Sequence, residues 1–334
     1  MNEFAEFTRI IGRGPTLSRP LTRNEAAEAM RLVLNEEVEP VQLGGFLLTL
    51  RQRGETAQEM TGFVDAVRAQ LKRHSAISST VVPDIDWPSY ADKHRQQPWF
   101  ILSALLLAER GIKVLMHGID GEHVHCAPTR PALQTLGIAP ATSLDQAAAR
   151  LISENFVYIG LEDMTPEVER LFHLIPLLGV RSIANTFVRA INPLGAANVM
   201  VGVVHAPYRS LHQETLGLLG QKNAAVFKGL GGEAQRNPYK SVRVATLING
   251  INGFEDWPAV LTGEPFIWHE DNLAPERIAA LWRGELSHPA AEASVISTAA
   301  IGLRLFDATL SRTDALDSAA AMWRTRRQAP ALPM

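Results

Sequence analysis

A change of texture near Pro83 constrains this chain more than any other feature: helix grammar comes before it, and alternating strand and helix grammar after it. Thr22 with Glu25 makes a capping box (T-R-N-E) ahead of Ala26, Met30, Val33 and Leu34, which recur at helical spacing. A second helix follows Pro40, with Leu43, Phe46, Leu47 and Leu50 on one side, and stops at Gly54. Thr56 and Glu59 repeat the capping box ahead of Met60, Phe63, Val64 and Val67. Short amphipathic helices cannot each bury an apolar face alone, so these three should form a small bundle. Beyond Pro83, strand-prone runs at 112–116, 156–159, 199–204 and 224–227 alternate with helical segments opened by Ser143 and by Thr165-Pro166. Such alternation predicts a largely parallel sheet covered by helices. The expected fold class is α/β: a helical bundle over residues 1–75, taken as the dimerisation unit, and an α/β domain over 76–334, ending in helices and open to segments returning to the helical lobe.

Composition removes several alternatives. With 46% hydrophobic residues and a net charge of -3, the chain has enough apolar surface to fold, and disorder over most of its length is excluded. The single cysteine, Cys126, forbids an intrachain disulfide and fits a packing role. No apolar run reaches the length of a membrane span, and residues 1–20 lack the apolar core of a signal peptide, so a cytoplasmic protein with no membrane partner is expected.

Charge is unevenly spread. Residues 170–243 carry 9 basic and 2 acidic side chains, while no Asp or Glu occurs from Arg170 to Arg209. A segment of this sign can attract a polyanion even on a slightly acidic protein, although pairing with acids from elsewhere would also account for it. Lys93, His94 and Arg95 form a second basic cluster. Arg181 and Arg189, eight residues apart, would share a face if their segment were helical. His117, His123 and His125 invite a metal reading but lack a further ligand of clear spacing, so no metal is assigned. The basic end Trp323 to Arg327 is either an auxiliary polyanion contact or a loose terminus.

Three strings carry a family resemblance. RPLTRNEAAEAMRLVLNEEVEPVQLGGFLLTLRQRGETAQEMTGF (19–63) resembles the helical domain of anthranilate phosphoribosyltransferases (TrpD). GVRSIANTFVRAINPL (179–194) resembles that family's G-x-R-T-x-x-N segment, and LWRGELSHPAAEASVISTAAIGL (281–303) its last helices. The resemblance implies a nucleoside-phosphorylase-like two-lobed fold in the glycosyl transferase class, paired as a homodimer through the helical lobes. Val33, Leu34, Leu43, Phe46 and Leu47 are the candidates for that contact, although some of them must belong to the chain's own core.

At the positions where the family does its chemistry, this sequence differs. The family's G-T-G-G-D phosphate loop corresponds to DIDWPSYADKHRQQPWF (84–100), which has no glycine. Its K-H-G-N-R motif reads Met116, His117, Gly118, Ile119, Asp120, and its magnesium-holding acidic pair aligns with Gly232-Glu233. The Pro88-Ser89-Tyr90 run followed by basic residues is more similar to the paralogous YbiB-like branch, for which the resemblance implies sequence-nonspecific nucleic-acid binding. The expectation is therefore a nucleic-acid-binding homodimer that recognises phosphates through Lys93, His94, Arg95, Arg181, Arg189, Arg209, Lys222, Lys228, Arg236 and Lys240, with no catalytic residue and no cofactor. The alternative is a glycosyl- or phosphoribosyl-transferase with a rebuilt donor site and an unknown acceptor.

Overall fold

A computed structural model describes residues 3–14, 16–74, 81–91, 95–120 and 126–326. Four helices open the chain: α1 (Phe4–Gly12), α2 (Arg23–Leu34), α3 (Pro40–Arg53) and α4 (Ala57–His74). Both capping boxes close as their residues dictate. Thr22 Oγ1 accepts the N–H of Glu25 at 3.3 Å while Glu25 accepts that of Thr22 at 2.8 Å, and Thr56 exchanges the same pair of bonds with Glu59. Helix α1 lies outside the three helices read from the sequence. It joins the bundle by setting Phe4 edge-on to Phe46 at 5.1 Å, an arrangement that adds about 1 kcal/mol to the burial of the rings.

The residues expected at a dimer contact are corrected here. Val33, Leu34, Phe46 and Leu47 are buried within their own chain, out of reach of a second copy, and Leu43, partly buried, packs on the same core. Helix α3 instead turns Val41 (83% exposed) and Leu48 (41%) outward.

The described residues of the second lobe build one seven-stranded sheet in the order β3-β2-β1-β4-β5-β6-β7. Its strands are β1 (Ile85–Ser89), β2 (Val114–Gly118), β3 (Phe156–Gly160), β4 (Asn198–Val203), β5 (Asn223–Lys228), β6 (Val242–Ile248) and β7 (Ile251–Trp257). The first five are parallel, and β6 and β7 run antiparallel at one side. β2 to β5 are wholly or almost wholly buried, as expected of strands covered on both faces. Strand β1 includes Pro88; its ladder with β4 stops at Asp86, before the residue that has no N–H to give. Asn249 and Gly250 join β6 to β7 with positive φ at both positions (51° and 77°), the geometry an Asn-Gly hairpin turn requires.

The apolar run at residues 100–108 becomes helix α5 (Phe100–Ala108), buried on every side between the sheet and helix Pro289–Phe306. Later segments return to the helical lobe: Phe187 meets Phe63 at 5.7 Å, and Arg23 donates to the carbonyl of Leu218 at 3.1 Å. No helix among the described residues is long and apolar enough to cross a membrane.

Candidate functional site

Parallel strands leave their carboxyl ends at one edge, and this edge gathers most of the residues that carry chemistry. At the end of β1 the edge is sealed from within. Asp86 and His117 project from β1 and β2, with His117 Nε2 3.3 Å from Asp86 Oδ2. The carboxylate accepts the Nε2–H hydrogen bond, which leaves Nδ1 to accept the Tyr90 hydroxyl at 2.6 Å. Burial pushes the Tyr90 phenol well above its ordinary value, which keeps it protonated and donating. Tyr90 is buried, ring against ring with His117 and Phe172.

The next backbone N–H, of Ala91, is taken by the Glu233 carboxylate at 2.7 Å. Gly232 makes this closure possible: its φ is +88°, and a Cβ there would stand 2.4 Å from Val204 Cγ2 and 3.0 Å from Ala91 Cβ. At the ends of β2 and β3, Arg130 pairs with both Asp120 (3.1 Å) and Glu162.

The end of β4 is built differently. Here a pocket of about 150 Å³ is lined by Arg51, Arg181, Asn185, Arg189, His205 and Tyr208 among others, and none of its described lining residues is an Asp or Glu. Arg51 reaches across from α3 and donates to the Tyr208 hydroxyl at 3.2 Å. Arg189 forms the floor, where its guanidinium donates to the carbonyls of Gly202 (2.7 Å), Gly232 (2.9 Å) and Asn185 (3.2 Å). Burial lowers its pKa, the Glu233 charge opposes that shift, and neighbouring Arg181 adds to it. Behind the floor, His212 is fully buried; desolvation and the Arg189 charge push its imidazole down to about 3, so it is neutral. Its Nδ1 and Asn185 Oδ1 have no hydrogen-bond partner among the described residues.

The expected binding residues separate into groups. Arg181, Arg209, Lys228 and Lys240 fall along this edge: Arg209 in the helix Pro207–Leu218 that follows β4, Lys228 at the end of β5, and Lys240 just before β6. Arg95 follows β1, is exposed, and lies 3.5 Å from Asp271. Lys93 and His94 lie outside the described residues, as do His123, His125 and Arg327.

Three expectations need correction. Arg236 is completely buried, donates to Pro258 O and lies over the Trp257 ring, and burial brings its pKa down to about 10; it cannot meet a phosphate at the surface. Arg189 is committed to three carbonyls, and the segment is not one helix: Arg181 precedes the short turn Ala184–Phe187, so the two arginines meet at a pocket rather than along a helix face. Lys222 stands before β5, roughly 20 Å along the strand from Lys228 and at the opposite edge.

Elsewhere the pairing explanation holds, since Arg170 meets Glu36 (2.6 Å) and Arg243 meets Asp256 (2.8 Å). Within the predicted basic end, Arg326 folds back over the Trp323 ring and onto the Trp282 carbonyl. Sequence reasoning missed Arg51, which sits in the last turn of an ordinary amphipathic helix; only the packing of α3 against the β4 end reveals it.

Comparison with known proteins places the scaffold. Residues 5–71 match the helical bundle domain of the glycosyl transferase family. The uncharacterized protein YbiB of Escherichia coli K12 is 29% identical over 248 residues, covering 72% of this chain and 75% of its own. The anthranilate phosphoribosyltransferase of Bradyrhizobium sp. strain BTAi1 is 30% identical over 250 residues, covering 75% and 73%. The crystal structure of anthranilate phosphoribosyltransferase (TrpD) from Thermus thermophilus superposes with a TM-score of 0.81 at 21% identity, over 97% of this chain and 94% of that one, which establishes the fold. Helical lobe and mostly parallel sheet thus define a protein with the fold of the glycosyl transferase class. Within it, the chain belongs to the anthranilate phosphoribosyltransferase (TrpD)-like family.

Proposed function

We propose that this protein binds nucleic acid through backbone phosphates along the carboxyl edge of its sheet, without reading bases, and that it does not transfer phosphoribosyl groups. The observation that carries this reading is the cationic opening at the end of β4, where Arg51 and Arg181 line a pocket with no Asp or Glu among its described residues, with Arg209, Lys228 and Lys240 along the same edge. Cations gathered on a rigid edge suit contacts to phosphate, which supply most nonspecific affinity. No helix-turn-helix or RNP string accompanies them.

The residues present do not fit a magnesium–pyrophosphate pair. Tyr90 is buried where a glycine-rich cradle would need open backbone, and Glu233 Oε1 already accepts the Ala91 N–H. The residue beside Glu233 is Gly232, and no group of three or more metal-ligating side chains occurs among the described residues. A hard divalent cation is ordinarily held by carboxylates with room for substrate oxygens.

Two copies pair through the outward face of α3, where Val41 and Leu48 are exposed. Light scattering checks this: a dimer that Val41→Asp with Leu48→Asp dissociates is expected, and a monomeric wild type contradicts it.

Thermal denaturation tests the main reading, because a ligand that binds only the folded state raises the midpoint. Short DNA duplexes of unrelated sequence should raise it, whereas phosphoribosyl pyrophosphate with magnesium should not. The reverse pattern establishes a transferase with a rebuilt donor site.

A further inference from the structure

At the opposite edge of the sheet, helix α4, helix Leu144–Arg150 and the connections entering β4 and β5 enclose a cleft of about 590 Å³. Clefts of several hundred Å³ are the size that encloses a small organic molecule. Apolar Leu71, Leu144 and Leu194 share its lining with Arg68, Lys72 and Lys222, and no Asp or Glu is among the described residues there.

Several arginines elsewhere in the molecule are paired. Arg31, Arg150 and Arg243 each sit on a carboxylate, whereas Lys72 and Lys222 have no ion-pair or side-chain hydrogen-bond partner among the described residues. Arg68 is fixed in place: its Nε donates to Ile191 O at 2.6 Å and its Nη2 to Ala190 O at 3.2 Å, so Nη1 is left to a ligand. The carbonyl end of a helix accounts for one cation, since Lys72 stands in the last turn of α4. It does not account for Lys222, which lies between helix Pro207–Leu218 and β5. Three cations thus stand around an apolar floor with no Asp or Glu among the described lining residues, and the carboxylates of Asp65 and Asp86, which act on Arg68, lie outside that lining.

We propose that this cleft binds a small organic anion, a carboxylate or phosphate monoester with an aliphatic or aromatic body, its charge among Arg68, Lys72 and Lys222 and its body on Leu71, Leu144 and Leu194. The site is independent of the nucleic-acid reading, because it lies at the other edge of the sheet and shares no residue with the β4 pocket.

The experiment titrates the full chain with the fluorescent anion anilinonaphthalene sulfonate. Saturable binding of one probe per chain is expected. Lys72→Glu with Lys222→Glu should weaken it by about tenfold or more for each charge-assisted hydrogen bond removed. Both lysines are exposed, so the melting midpoint should stay unchanged. The variant Arg51→Ala with Arg181→Ala should bind the probe as the wild type does, whatever becomes of its DNA affinity. Displacement by octanoate and by octyl phosphate, compared with inorganic phosphate alone, separates the two headgroup sources. The proposal is overturned by absence of probe binding, by unchanged affinity in the double glutamate variant, by equal affinity for neutral N-phenylnaphthylamine, or by displacement with short DNA.

Discussion

Strands β1 and β4 lie side by side, in register at Ile85 and Asn198, yet their carboxyl ends are finished in opposite ways. At β1 the protein supplies its own anion: Glu233 occupies the Ala91 N–H, and Tyr90, His117 and Asp86 fill the space in front of it. At β4 the charged groups are cations, no carboxylate is among the described lining residues, and Asn185 Oδ1 and His212 Nδ1 are left without partners among the described residues. Neighbouring positions on one sheet edge can therefore be a structural seal and an open site. What separates them is which side chains reach the backbone groups there, not the strand topology. Arg189 joins the two, since it donates to Gly202 at the end of β4 and to Gly232 beside the seal.

The most severe way to break the contrast is to open the seal. Tyr90→Ala removes a buried ring and strands His117 Nδ1, and should cost about 3–5 kcal/mol in denaturant unfolding. A loss below about 1 kcal/mol would show that the seal is not built as described, on the scale of a truncated core aromatic.

Arg189→Met comes next, because it leaves the Gly202 and Gly232 carbonyls buried and unpaired. A stability loss of about 2–4 kcal/mol is expected. Any fall in DNA binding should disappear once the folded fraction is corrected for.

The third effect is a pH dependence of the β4 end. His212 takes up its proton near 6.5 when unfolded but only near 3 when folded. The unfolded chain therefore binds more protons between those values, and stability falls as pH drops through that window, by up to about 1.4 kcal/mol per pH unit. His212→Gln should flatten this acid limb, measured as midpoints of urea unfolding between those two pH values. An unchanged limb would place the titrating group elsewhere.

The two regions are unequally legible in the sequence. The bundle can be read because capping boxes at Thr22 and Thr56 mark helix starts through local hydrogen bonds that survive unchanged in the fold. Strands β2 to β5 are legible because burial on both faces demands continuous apolar runs. Strand β1 is not, since Asp86 and Pro88 interrupt its pattern; His117 meets one oxygen of the first, and the β4 ladder ends before the second. The β6–β7 hairpin is missing from the strands expected, although Asn249-Gly250 between two strand-like runs marks it.

At the candidate site, composition alone cannot tell an interior arginine from a surface one. Arg236 and Arg181 lie in the same basic segment, yet one is enclosed and the other exposed. Arg51 is invisible because its role depends on α3 packing against a strand end some 150 residues away in sequence.

The smallest expected effect on stability carries the central claim. Arg51→Ala with Arg181→Ala removes two exposed cations and should change stability by under about 0.5 kcal/mol. Fluorescence anisotropy of two unrelated DNA duplexes, titrated with wild type and variant from low to moderate salt, is the direct test. The account predicts affinity that falls steeply with salt in the wild type, equally for both sequences. In the variant, the slope of log affinity against log salt should flatten by about 0.9 for each phosphate that is no longer neutralised. Affinity independent of salt, or a variant that loses one sequence while keeping the other, would contradict phosphate recognition at the end of β4.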